Sequence, residues 1–201
     1  MLIGVDFDNT IACYDVVFHR AASERGLLTP EIPAEKEAVR NHLRRIGREE
    51  AWTELQGEVY GRRMHEVLPF PGVLEFFACC RGRGVSVWII SHKTRQPYAG
   101  PACDLHCVAL DWLAFHGFTE LARIVFELTK ERKLERIREA RCTHFVDDLP
   151  EFLCDPEFPA GVQRILFDPH RRNPGSSCFR QAVSWPELEH LLFNSDNARL
   201  G

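Results

Sequence analysis

The chain has 201 residues, 45% of them hydrophobic and 27% charged, enough to bury a core in one domain or in one domain plus an insertion. Its formal net charge of -4 gives no electrostatic case for a nucleic-acid polymer or an anionic membrane as partner, while a local basic pocket would still suffice for a small phosphorylated substrate. No apolar run approaches the roughly 20 residues that span a bilayer; eight cysteines at no framework-like spacing, and an opening without a basic segment and apolar leader, predict a reducing cytoplasm.

The first predicted strand is Leu2-Ile3-Gly4-Val5, which runs directly into Asp6-Phe7-Asp8-Asn9-Thr10. Two carboxylates one residue apart point the same way in a pleat. Where the backbone turns at a strand end, one side chain and the next carbonyl can converge on one ion. Such a cluster is costly unless a cation neutralises it, and oxygen ligands suit Mg2+. The alternative is an acidic turn or a helix cap.

Residues 14–68 read as mostly helical, rich in Arg and Glu, and broken at Thr29-Pro30 and Ile32-Pro33. This stretch is too long for a crossover helix, so it is expected to be an inserted cap over 15–68, with the core formed by 1–14 and 69–201. Pro69-Phe70-Pro71-Gly72 opens a helix over 73–80, which Gly82 and Gly84 end. Residues 85–90 form a second buried strand stopping at Ser91. A loop with Pro97, Gly100 and Pro101 leads to a helix over 104–116. Strands are expected at 124–126, 143–146 and 162–167, with helices at 130–140 and 185–192, and 171–177 is a polar loop. Alternating strands and helices predict an α/β fold: a Rossmann-like parallel sheet with helices on both faces, plus a small helical cap inserted after the first strand.

Cys103 and Cys107 would share a helix face beside His106, a spacing that permits a metal pair. The apolar run from Cys107 to Leu113 has no second pair to match it, so buried packing is the expectation.

Ligands of open α/β sheets bind outside the carboxyl ends of the strands. Those ends carry Asp6 and Asp8, then Ser91, His92, Lys93 and Thr94, then Asp147-Asp148, with Lys130 or Lys133 in the preceding helix. Acids for a metal, a hydroxyl for a phosphate oxygen and an amine for charge are what phosphoryl transfer needs. The order and spacing of these motifs resemble the haloacid dehalogenase (HAD) superfamily across the whole chain. Val5-Asp6-Phe7-Asp8-Asn9-Thr10 is similar to its first motif, Ile89-Ile90-Ser91 to its second, Lys133 to its third and Phe145-Val146-Asp147-Asp148 to its fourth. The insertion resembles a C1-type helical cap, and the paired aspartates are similar to those of deoxyribonucleotidase-like phosphatases.

The resemblance implies that Asp6 is a nucleophile forming an aspartyl-phosphate. Asp8 would protonate the leaving alcohol and then deprotonate water, its carbonyl ligating Mg2+. Ser91 and Lys133 would hold the phosphoryl group, with Asn9, Thr10 and His92 beside it, Thr10 also steadying the turn. Lys133 is preferred to Lys130 for its interval to Asp147. Asp6, Asp8, Asp147 and Asp148 would form the metal site, Asp148 as direct ligand and Asp147 through water or a neighbour.

Trp52, Gln56, Tyr60 and Arg63 recur near four-residue spacing, so they could line one helix face and read a base or sugar. Packing within the cap is the preferred reading of that stripe. Arg62, Arg63 and Lys93 are candidate anchors for a second anionic group. The expected function is a Mg2+-dependent cytoplasmic phosphohydrolase acting on a nucleotide or sugar phosphate. A phosphomutase and a catalytically silent scaffold are the alternatives; the intact set Asp6, Asp8, Ser91, Lys133 and Asp148 weighs against the scaffold.

Overall fold

The computed structural model describes residues 1–194. In chain order its elements are β1 (Leu2–Val5), β2 (Ala12–Cys13), α1 (Asp15–Glu24), α2 (Lys36–Arg45), α3 (Glu49–Tyr60), β3 (Leu68–Pro69), α4 (Val73–Gly82) and β4 (Ser86–His92). They continue with α5 (Leu105–Phe115), β5 (Arg123–Glu127), α6 (Lys130–Glu139), β6 (His144–Asp147), α7 (Pro150–Leu153), β7 (Gln163–Phe167), β8 (Arg180–Ala182) and α8 (Trp185–Phe193). The chain divides into two compact units. One comprises Met1–Ile11, Pro69–His92 and the described part of Gly117–Gly201; the other comprises Ala12–Leu68 and Lys93–His116.

The first unit is built on a six-stranded sheet of order β5-β4-β1-β6-β7-β8, with every neighbouring pair parallel. Strands in such a sheet are buried on both faces and therefore read as continuous apolar runs. Alternate residues feed two cores. Ile90, Phe145 and Leu166 face a cluster with Leu134 and Ile137 of α6 and Phe152 of α7. On the other face Phe167 meets Trp185 of α8, which meets Phe76 of α4 at 5.0 Å between ring centroids. Gly4 on β1 is required by packing: a Cβ there would lie 2.5 Å from the Phe145 ring.

The register aligns the functional ends. Val5 pairs with Ile89 on one side and Val146 on the other, so Asp6, Ser91 and Asp147 emerge at one edge of the sheet. Three strands were not foreseen: β2 and β3, two residues each, and β8. β8 is three residues long, Arg180-Gln181-Ala182, at an edge and without an apolar run to announce it. α7 is a four-residue helix begun by Pro150 in its first turn.

In the second unit, α1 and α2 flank the break at 29–33, and Gly47, at φ 70°, makes the turn before α3. Tyr14, Phe18, Trp52, Leu43, Leu55 and Val59 form its core. Phe18 stacks on Trp52 at 4.9 Å, and Tyr14 packs edge-on to Tyr60 at 5.0 Å. No helix among the described residues is long and apolar enough to cross a membrane.

Candidate active site

The site grows from the end of β1. Phe7 turns into the core against Phe126, which leaves Asp6 and Asp8 on the other side of the pleat. Asn9 then takes a left-handed conformation, φ 59°, which Asn tolerates better than most residues. Its amide Nδ2 donates to Asp148 Oδ2 at 3.3 Å, tying the first turn to the end of β6.

Asp6 is buried, and two donors meet on its Oδ1: the Ser91 hydroxyl at 2.8 Å and Lys133 Nζ at 2.6 Å. Lys133 also donates to Asp147 Oδ2 at 2.6 Å, while Asp147 Oδ1 accepts the Leu149 amide at 3.0 Å. Of the two candidate lysines, Lys133 is the one brought here; Lys130 is exposed. The two are three positions apart on α6, whose first turn Thr129 caps by accepting from Arg132 N. The rings of Phe152 and Phe145 lie 4.2 and 5.4 Å from Lys133 Nζ and supply an apolar, cation-tolerant wall. Neither ring was given a role from the sequence, because each reads as core.

Burial raises Asp6 to about 7; Lys133 opposes this, and Asp147 and Asp8 add to it. Burial works against the Lys133 ammonium, but Asp147 and Asp6 outweigh it and hold Lys133 above the ordinary lysine range. One oxygen from each of Asp6, Asp147 and Asp148 lies within 4.8 Å of the others. With one ammonium among three carboxylates, the ionised cluster keeps two net negative charges. A divalent cation with a preference for oxygen fits that donor set and would reverse the rise at Asp6.

Other candidates sit differently. Asp8 is half-buried beside this cluster in sequence. His92, next along β4, points to the opposite side from Ser91: its Nε2 bonds the Leu128 carbonyl at 3.1 Å, and burial lowers its pKa. The imidazole ties β4 to the end of β5. Thr10 is fully buried, and its Oγ1 has no hydrogen-bond partner, so the hydroxyl does not brace the turn by a hydrogen bond.

Trp52, Gln56, Tyr60 and Arg63 fall in the second unit. Arg63 leaves the stripe, because α3 ends at Tyr60 and Gly61 breaks the helix at φ -97°, ψ -101°. Its guanidinium is spent on Glu66, at 2.9 Å, and Glu24, at 2.5 Å, which raise its pKa. Trp52 is buried against Phe18. Both contacts are packing within the unit. His106 Nε2 bonds the Lys93 carbonyl at 2.8 Å, and among the described residues Cys103, His106 and Cys107 form no metal-holding group.

No protein-family model and no curated protein matches the chain. Solved structures do. YfnB of Bacillus subtilis, a HAD-hydrolase solved bound to magnesium, is 13% identical over 96% of this chain and 98% of that one, with a TM-score of 0.56. The fold is the HAD fold. CbbY of Rhodobacter sphaeroides, solved with phosphate, is 16% identical over 93% and 95%, at a TM-score of 0.54. Protein Tyrosine Kinase A of Mycobacterium tuberculosis is 18% identical over 96% and 97%, at 0.64. The HAD fold accounts for the parallel sheet and for the edge where the aspartates gather.

Proposed function

We propose that the protein is a Mg2+-dependent phosphohydrolase that cleaves a small phosphorylated metabolite, a nucleotide or sugar phosphate, through an aspartyl-phosphate on Asp6. The observation that carries this reading is the convergence of Ser91 and Lys133 on one oxygen of a buried Asp6, within a three-carboxylate cluster. The magnesium and phosphate in the YfnB and CbbY structures support it.

Asp6 attacks phosphorus, and the phosphorus–oxygen bond to the alcohol breaks. Asp8 gives its proton to the leaving oxygen, then takes one from the water that cleaves the aspartyl-phosphate. Ser91 and Lys133, fixed before the reaction, donate to the charge that spreads over the phosphoryl oxygens. Asp148, Asp6 and the Asp8 carbonyl would hold Mg2+, with Asp147 orienting Lys133 and the turn at Leu149. Bound there, Mg2+ neutralises carboxylate and phosphoryl charge.

The test is release of inorganic phosphate from p-nitrophenyl phosphate and from a panel of phosphorylated metabolites, with Mg2+ present. Asp6→Asn should abolish release without lowering the melting temperature. Activity of Asp6→Asn within about tenfold of the parent would remove the covalent step, since an amide is a very poor nucleophile.

A further inference from the structure

We infer that Cys154 and Cys178 form an oxidisable dithiol: a hydroperoxide oxidises Cys178, and Cys154 then closes a disulfide that ties the end of α7 to the approach to β8. All eight cysteines are free thiols, and they differ in setting. Cys80 and Cys142 are sealed in the core, and burial pushes both thiols up to about 12, which leaves them inert. Cys79 donates its thiol proton to Glu189 at 3.3 Å. Cys154 is exposed, Cys178 is half-buried, and their thiols are hydrogen-bonded to each other. Sulfur atoms already in contact need only close to about 2 Å to bond.

Three segments build this contact. The carbonyl of Leu153, where α7 ends, accepts Arg164 Nη1 at 2.7 Å and the Cys178 thiol at 3.6 Å. The same Nη1 donates to Cys178 Sγ at 3.3 Å. Arg164 belongs to β7, and its guanidinium is steadied on the ring of Phe158 at 4.6 Å. Ser176 Oγ accepts the Cys178 amide at 3.1 Å and also hydrogen-bonds the Cys154 thiol. Upstream, the Asp168 carboxylate accepts the amides of Arg172 and Asn173 and Gln181 Nε2, which returns the chain to β8. β8 is a three-residue strand at the edge of the sheet, paired to β7 alone. A covalent bond at Cys178 would secure it.

Arg164 sets the order of the two steps. A thiolate accepts from a charged donor more strongly than a thiol does, which favours attack from Cys178. Its sulfur attacks an oxygen of the hydroperoxide and the O–O bond breaks. The departing oxygen takes the thiol's proton, and Cys178 becomes a sulfenic acid. Cys154 sulfur then attacks that sulfur, the S–O bond breaks, and the hydroxyl leaves as water with the Cys154 proton. The two thiols lose two electrons and two protons, which the peroxide gains. Partial desolvation, with the Cys178 thiol beside it, holds Cys154 above the ordinary thiol range, in keeping with the second, resolving role.

The test treats the full chain with hydrogen peroxide, blocks remaining thiols by alkylation and maps the tryptic peptides with and without dithiothreitol. A peptide joining Cys154 to Cys178 is expected, two hydrogens lighter than its parts and lost on reduction. The linked protein should melt about 5 °C or more above the reduced one, because the bond closes the loop over 155–177 in the unfolded chain. In Cys154→Ser, which replaces an exposed thiol, the sulfenic acid should persist on Cys178 and be trapped by dimedone. The wild-type map stands without any variant. Peroxide that instead links Cys103 to Cys107, joins two chains, or carries Cys178 to the sulfinic acid while Cys154 is still alkylated overturns the proposal. A linked form that melts no higher than the reduced one overturns the restraint on β8.

Discussion

Lys133 Nζ stands 2.6 Å from Asp6 Oδ1, an ammonium and a carboxylate held together from positions 127 residues apart, both almost sealed from water. The same ammonium serves Asp147, so one positive charge is shared by two negative ones in the dry end of the sheet.

Lys133→Met should therefore expose a charge imbalance. Methionine keeps the packing against Phe145 and Phe152 but leaves Asp6 and Asp147 facing each other unpaired. Breaking a buried pair in this way costs about 3–5 kcal/mol. Thermal melts should show a large fall that Mg2+ partly recovers. A melting temperature like the parent's would mean the lysine is not the charge partner of these acids. Lys133→Arg should not restore turnover, because a planar fork cannot replace a point charge between two oxygens.

Asp8→Asn should slow turnover by about 10²–10⁴-fold, the usual worth of a positioned acid. The backbone carbonyl survives, so Mg2+ should still bind. The deficit should shrink as the leaving group improves, from alkyl phosphates to p-nitrophenyl phosphate. A loss equal across that series would exclude Asp8 as the proton donor.

Mg2+ should raise the melting temperature. At about a hundredfold excess over its dissociation constant, a ligand confined to the native state adds about 2.7 kcal/mol. Asp148→Asn should remove most of that shift. Ca2+ should stabilise as well yet block turnover, because it accepts more oxygens and can take both of Asp6's. Full activity after exhaustive chelation would refute the metal assignment.

The sheet was legible in the sequence because a parallel sheet buries both faces, so each strand announces itself as an apolar run ended by a polar residue. Asp6, Ser91 and Asp147 were legible for the same reason: each stands where such a run stops. Three kinds of feature were not. β8 carries Arg180 and Gln181 and sits at an edge, so neither composition nor burial marks it. His92 adjoins Ser91 in sequence, but side-chain alternation along β4 sends its ring to Leu128. The cluster of Tyr14, Phe18, Tyr60, Lys36 and Lys93 joins residues from four segments, so no single stretch of sequence announces it.

Trp52→Ala should behave as a core truncation rather than a lost substrate contact. The indole is buried on Phe18, and removing a buried aromatic of this size costs about 3–5 kcal/mol. Urea melts should record that loss, and whatever kcat/KM remains should fall equally for a metabolite and for p-nitrophenyl phosphate. A loss confined to the metabolite, with stability intact, would return Trp52 to the substrate.

Gly57 and Gly82 make opposite predictions from the same substitution. Both lie in helices, where alanine is ordinarily favoured over glycine. At Gly82, the last residue of α4, a Cβ meets nothing within 4 Å, so Gly82→Ala should stabilise by about 0.4–1 kcal/mol through the unfolded chain. At Gly57 the Cβ would lie 1.9 Å from the carbonyl oxygen of Ala99, a backbone atom with no rotamer to give. The segment must move by more than 1 Å, an overpacking that costs about 1–3 kcal/mol and outweighs the propensity gain. Denaturant midpoints measured on both variants decide it. A stabilised Gly57→Ala would mean that α3 does not approach the backbone at Ala99 so closely.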